Sequence, residues 1–518
     1  MQILRIFTLF FCFFAITGLC EAAGKILFVP MDNRPVCLSY TVDTLKAAGW
    51  EIVTPPAQLI ASRENMGEPD KLLDWLEQEA VTADAAVVSS DALIYGGLVA
   101  SRTHNFDEQV LARRLQRVVF LKDNIPGLKL YVFSTVMRTP KASSGGVEPP
   151  YYEKYGPDIF RWSALNDKSE ISSLKRKEKE EMREIKDHIP QEVLEDWLLR
   201  RNSNLNINKS LLYAAIEGKF NYFVLGKDDT APFSQSHKEA REIEQIIAKQ
   251  KPWNYRMFVG ADQLGLILLT RAVNERTQDM PFVNVQYAEG KGAKTVPSYE
   301  DKEVGSTINS HIYAAGGFPT KNKKRADLSL FVNTPYDGVT KEASAPENTY
   351  DASDSIKKFV AEIGQEIENR PVALADIQFG NGASNALAMS LMQTNLGREV
   401  ASYAGWNTAS NSIGYALGQG ILSKYMDKYD YGEHRKMLMV RYIDDWTYQA
   451  NVRGMLYNEI VWPKGINGTQ LDGNKAMLEE EALKRIKAFY AGHLPEKTLN
   501  SIKVSFPWNR MFEIYVEL

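Results

Sequence analysis

Short runs rich in β-branched and aromatic residues alternate with longer stretches of helical periodicity, and this alternation restricts the possible folds more than any other feature of the chain. Ten such runs stand out, at 25–30, 51–54, 85–89, 129–135, 222–225, 256–259, 281–287, 328–333, 372–376 and 400–404. Amphipathic segments such as 70–80 and 107–122 lie between them. Repetition of strand, helix and strand builds parallel sheets, because a parallel pair needs a long crossover connection. The expected class is therefore α/β. The expected architecture is a (β/α)8-like barrel over residues 24–415, but the ten runs exceed the eight strands of a barrel. Either a further α/β piece is inserted at 280–340, or two α/β domains share a cleft.

Two segments depart from the alternation. Residues 139–210 read as a helical insertion, with the Pro- and Gly-rich TPKASSGGVEPPYYEKYG followed by the charged KSEISSLKRKEKEEMREIKDH. Residues 416–518 change to helix, loop and short aromatic strands and read as a small C-terminal lobe.

The first residues join one arginine to about fourteen apolar residues and then small ones, the pattern of a signal peptide over 1–23. Its apolar stretch is too short for a comfortable span, so no integral membrane segment is expected after cleavage. Leu19 stands where a lipoprotein signal has a small residue, which argues against a lipid anchor on Cys20. A periplasmic or extracellular protein is expected, with Cys37 left alone and no intramolecular disulfide. A net charge of −4 gives no general reason to bind nucleic acid.

Active sites of parallel α/β folds gather beyond the carboxyl ends of the strands, where loops converge. Polar residues recur at those ends here. The first run leads into Asp32 and Arg34, the third into Asp91, Tyr95 and Arg102, and the fourth into Arg138. The fifth leads into the adjacent pair Asp228 and Asp229, and the sixth into Asp262. Later runs lead into Asp376 and Asn381, and into Trp406, Asn407 and Asn411. Each alone fits a helix cap or a turn. As a set they suggest one polar pocket.

Several chemistries lack their residues. There is no G-x-S-x-G, no G-x-x-x-x-G-K-[ST], no proper G-x-G-x-x-G, no C-x-x-C and no H-E-x-x-H. No cofactor and no metal is expected, and carboxylates remain the plausible catalysts with a glycan or small sugar as substrate. A 2-acetamido group can itself serve as nucleophile, so two adjacent carboxylates suffice: Asp228 to hold the amide and Asp229 as general acid and base. The tyrosines and Trp406 would stack on a sugar face. The remaining polar residues named above would bind hydroxyls or the amide. Against this stands ordinary loop chemistry, although Ser236 and Glu239 form an S-x-x-E box that would already cap the following helix. A second pair, Asp444 and Asp445, reads as a structural junction. Two other functions stay open: a hydrolase of phosphoesters with Mg²⁺ or Ca²⁺ on Asp32, Asp91, Asp228 and Asp262, and a glycan-binding protein without catalysis.

The stretches LFVPMDNRP, SSDALIYGGLVASR, LGKDDTAP, FVGADQLGLILLTR and YAGWNTASNSIG, in this order, resemble a bacterial family catalogued as domain of unknown function 4127. That resemblance covers nearly the whole mature chain and implies no activity. The aspartate pair followed by a later Trp-Asn segment also resembles substrate-assisted β-N-acetylhexosaminidases of the O-GlcNAcase type. This second resemblance, over two short motifs, implies the same roles for Asp228 and Asp229 and a loose counterpart for Asn407.

Overall fold

A computed structural model of the protein describes residues 24–141, 146–493 and 501–518, so the expected signal segment lies outside the described residues. Six strands, β1 (Lys25–Val29), β2 (Glu51–Val53), β3 (Ala85–Ser89), β4 (Lys129–Val136), β5 (Tyr222–Lys227) and β6 (Tyr255–Val259), form one parallel sheet in the order β2-β1-β3-β4-β5-β6. The following strands are β7 (Phe282–Tyr287), β8 (Phe318–Pro319), β9 (Leu328–Asn333), β10 (Lys341–Glu342), β11 (Val372–Asp376), β12 (Phe379–Gly380) and β13 (Ser402–Ala404). Five of them make a second parallel sheet, β8-β7-β9-β11-β13, while β10 pairs with β12. Each sheet repeats the doubly wound order 2-1-3-4-5 within its own strands, and the first adds a sixth at its edge.

The expected barrel is therefore corrected. Among the described residues neither sheet closes, because β2 and β6 stay at opposite edges of the first, and β8 and β13 at those of the second. The strands match the other arrangement, two α/β units side by side. Residues 280–340 are no insert, since they supply β7, β8 and β9 of the second sheet.

Alternation along each strand explains the layering. On β1, Ile26 and Phe28 enter one apolar cluster and Leu27 and Val29 another. Both faces are buried, which is why these strands read as unbroken apolar runs. The first of these clusters is shared by the two sheets: it joins Ile26 and Phe28 to Leu266 and Leu269 of helix Leu264–Arg276, Ile308 and Ile312 of helix Val304–Ala314, Ile413 and Leu417 of helix Ala409–Tyr429, and Leu330 of β9. The expected boundary between residues 415 and 416 thus falls inside a helix at the centre of the molecule.

The segment 139–210 does form helices, with Tyr152, Ile159, Trp162, Leu194 and Trp197 in a small core of their own. The last residues pack on the outer face of the second sheet through Phe506, Met511 and Ile514, and β14 (Lys503–Ser505) pairs antiparallel with β15 (Tyr515–Glu517). Among the described residues no helix is long and apolar enough to cross a membrane.

Candidate functional site

Strand register decides which polar residues meet. Val136, Lys227 and Val259 are partners across β4, β5 and β6, so the residues that follow them emerge together: Arg138, the Asp228–Asp229 pair and Asp262. Gly226 and Gly260 allow these strands to end this closely, since a Cβ on Gly226 would lie 2.3 Å from the Gly260 carbonyl oxygen. Arg34 follows β1, and Arg102 lies in the last turn of the short helix Leu98–Thr103 after β3. From the second unit come Asn381, Asn407 and Asn411, and Tyr299 on the connection after β7. Together with Trp508, Arg510, Phe512 and Tyr457 of the C-terminal part, they enclose a cavity of about 300 Å³. That is within the size range of small-molecule sites.

Its charges are paired throughout. The Arg34 guanidinium grips Asp32 at 2.8 Å and Asp262 at 2.7 Å, and Asn407 Nδ2 donates to the other Asp262 oxygen at 2.9 Å. Asn411 Oδ1 accepts from the backbone N–H groups of Ala261 and Asp262, each at 3.2 Å, holding the loop after β6. Arg102 contacts Asp228 at 2.5 Å and Glu148 at 3.2 Å. Arg138 contacts the same Glu148 oxygen at 2.6 Å and Asp229 at 3.1 Å. Arg34 and Arg510 stand over the Trp508 ring at 5.1 and 5.0 Å, and its indole N–H donates to Asn33 at 2.7 Å.

Asp229 differs from its neighbour. Burial and the adjacent Asp228 raise its carboxyl to about 6, against the pull of Arg138 and Arg102. Its side chain keeps 29% of its surface open. Four cavity residues, Asp229, Tyr299, Asn381 and Asn407, hold positive φ of 30°, 67°, 57° and 64°. Such backbone persists only where the surroundings enforce it, and it clusters at functional sites.

Other expected residues stand elsewhere. Asp32 lies behind Arg34. Asp91 is buried below the cavity on the Thr135 hydroxyl at 3.1 Å. The buried Tyr95 ring stacks on His104 at 4.8 Å. Asp376, at the end of β11, binds Asn333 and Tyr403 of the second sheet and the Ser384 backbone N–H. Trp406, expected to stack on a sugar, is buried against Phe512 at 5.9 Å and does not line the cavity. The capping box is also corrected: Ser234 caps helix Gln235–Gln250, while Ser236 bonds the Met137 carbonyl and Glu239 pairs with Arg201. Asp228 and Asp229 have no part in that cap. Asp444 and Asp445 are buried around Arg441, away from the cavity.

Sequence reasoning missed Glu148, Tyr299, Trp508 and Arg510. Glu148 sits in a Pro- and Gly-rich stretch with no periodicity, and Trp508 lies 475 positions from the Asn33 it touches. A cluster of aromatic residues and arginine was visible in FPWNRMF, but nothing local connected it to β1.

Of the four aspartates proposed to hold a divalent ion, Asp32 and Asp262 share Arg34, Asp228 pairs with Arg102 and Asp91 sits on the Thr135 hydroxyl. Among the described residues no group of three or more His, Cys, Asp or Glu is gathered for a metal.

The buried acids make a test of their own. Burial lifts Asp91, Glu300 and Asp444 to about 7 and Asp376, like Asp229, to about 6. Each raised carboxyl keeps, in the folded chain, a proton the unfolded chain has released above about pH 4, so stability rises as pH falls through the window from 7 to 4. His104 and His311, lowered by burial, oppose this below about pH 6.5. The carboxyls outnumber them. The melting temperature at about pH 5.5 is expected to exceed that at about pH 8, measured by scanning calorimetry in matched salt; the reverse order contradicts the buried protonated acids.

Two doubly wound parallel sheets, a common core between them and a polar, charge-paired cavity over the carboxyl edge of the first define a two-unit α/β protein with residues of both units around that cavity. The chain belongs to the family described as Protein of unknown function (DUF4127), whose model matches residues 26–517. No curated protein and no solved structure matches the chain. None of these comparisons supports the resemblance to β-N-acetylhexosaminidases.

Proposed function

We propose that the protein is an exported glycoside hydrolase, retaining and substrate-assisted, acting on glycans that contain N-acetylhexosamine. The observation that carries this reading is the unlike setting of two adjacent carboxyls on one polar cavity. Asp228 is ion-paired with Arg102, while Asp229 is raised to about 6 and open to the cavity. Paired acids in unlike environments are the usual way to divide proton donor from anion.

In the first step the acetamido carbonyl oxygen attacks the anomeric carbon as the bond to the leaving oxygen breaks, and Asp229 gives that oxygen its proton. Asp228 accepts a hydrogen bond from the amide N–H, which favours the oxazolinium ion that forms. In the second step Asp229, now ionised, takes a proton from water as water opens the ring, and the original configuration returns. Asn381, Asn407 and Tyr299 supply hydrogen bonds for hydroxyl groups. The cavity guanidiniums are matched by carboxylates, which suits a neutral sugar better than a phosphoester.

The test is hydrolysis of aryl N-acetylhexosaminides and amino-sugar oligosaccharides across pH. Turnover is expected, with kcat falling on the alkaline side as Asp229 loses its proton from about pH 6 upward. Absence of hydrolysis together with failure of a thiazoline transition-state mimic to bind rejects this function.

A further inference from the structure

Glu148 has no counterpart in any motif of the sequence, yet it touches both arginines that hold the aspartate pair. Its Oε1 accepts from Arg102 Nη1 at 3.2 Å and from Arg138 Nε at 2.6 Å. Arg102 continues to Asp228, Arg138 continues to Asp229, and the peptide bond between the two aspartates closes the circuit. We infer that Glu148 is a positioning residue that governs proton retention on Asp229, because it supplies the third carboxyl of a closed ring containing only two guanidiniums. This rests on the reading of Asp229 as proton donor.

Charge is hard to leave unbalanced in a desolvated place. Side-chain exposure is 4% for Arg102 and Glu148, 11% for Asp228 and 13% for Arg138, so the ring's charges are weakly screened by water. Were Asp228, Asp229 and Glu148 all ionised, the ring would carry one uncompensated negative charge. The cheapest relief is to keep one proton, and Asp229 is the member most open to the cavity, hence the one able to exchange it. Without Glu148, two guanidiniums would balance two aspartates, and burial and Asp228 alone would hold the proton.

Other charged or titratable groups around the ring are met locally. Arg34 faces Asp32 and Asp262, Lys227 faces Asp301, and Arg510 faces Glu513. Tyr299, from the connection after β7, bonds Glu342, and Tyr152 donates to the Pro140 carbonyl. Asp91, below Arg102 and Asp228, is itself raised to about 7 and adds no full charge at neutral pH.

The experiment is a carboxyl titration that does not depend on turnover. Aspartate labelled with ¹³C in its carboxyl group is incorporated, the Asp229 resonance is assigned by its loss in Asp229→Asn, and its half-point is compared in Glu148→Gln, Glu148→Asn and Glu148→Asp. The two charge-free variants are expected to lower the half-point by about one pH unit, and Glu148→Asp to keep it near the wild type. In kcat this lowers the protonated fraction at neutral pH about tenfold. Either charge-free variant that folds decides the matter. An unchanged half-point overturns the inference, and so does an equal shift in Glu148→Asp, which would mark distortion and not charge. A shifted half-point in a protein without glycosidase turnover leaves this inference standing and removes the proposed function. Normal turnover with an unshifted half-point does the opposite.

Discussion

Asp229→Asn is expected to lower kcat for an N-acetylhexosaminide with a poor leaving group by about 10²- to 10⁴-fold, with little change in KM. Asparagine has the shape of aspartate and can still accept from Arg138, so the cavity walls stay in place. What it cannot do is deliver a proton. The deficit should therefore shrink as the leaving group becomes more acidic, because a dinitrophenolate departs without protonation. Asp228→Asn is expected to behave differently. It weakens the partner of Arg102 and of the substrate amide, and its loss should be similar for all leaving groups. The pair is read by steady-state kinetics over a series of aryl glycosides. Full turnover of poor leaving groups by Asp229→Asn would remove this residue from the chemistry.

Lys227→Met is expected to destabilise the protein by about 3 to 5 kcal/mol, the usual result of stranding one member of a buried pair. Lys227 is the last residue of β5, and its ammonium meets both Asp301 oxygens at 2.5 Å, with each side chain 1% exposed. Asp301 belongs to the connection that brings Tyr299 to the cavity. That connection is also held by Thr230 N–H on the Tyr299 carbonyl at 2.9 Å and by Ser410 N–H on Glu300 at 2.7 Å. The pair thus fastens the second unit to the strand end that carries the aspartates. Removing both charges, as Lys227→Met with Asp301→Leu, should restore most of the loss, since a buried pair gains little over apolar contact. Urea unfolding of the two variants separates the outcomes: equal destabilisation of single and double variants would mean that packing, not charge, sets the cost.

The expected runs recur as strands because each is a short, mostly apolar stretch, a signal contained within a few positions. Lys129–Val136 and Phe282–Tyr287 are legible in this way, whereas Phe318–Pro319 is too short to announce itself. Among the candidate site residues, Arg34, Arg102, Arg138, Asp228, Asp229, Asp262, Asn381, Asn407 and Asn411 do meet at one cavity, since polar residues after buried parallel strands have only the loop end to occupy. Trp406 shows where that logic stops. It follows a strand as Asn407 does, but the positive φ of Asn407 turns the chain there, leaving the tryptophan in the core and the asparagine in the cavity.

Hydrophobic periodicity is a local property, and the sequence by itself determined the α/β class, the positions of the strands and the set of polar residues at their carboxyl ends. Whether those strands closed into one barrel or parted into two open sheets depended on pairings between distant strands, which no local pattern encodes. The same holds for charge. Asp228 and Asp229 are neighbours of the same type, and only the tertiary structure gave one to Arg102 and the other to Arg138, with Glu148 between them, because ion pairs in a desolvated cavity form between whatever the strand register and the loops bring within reach.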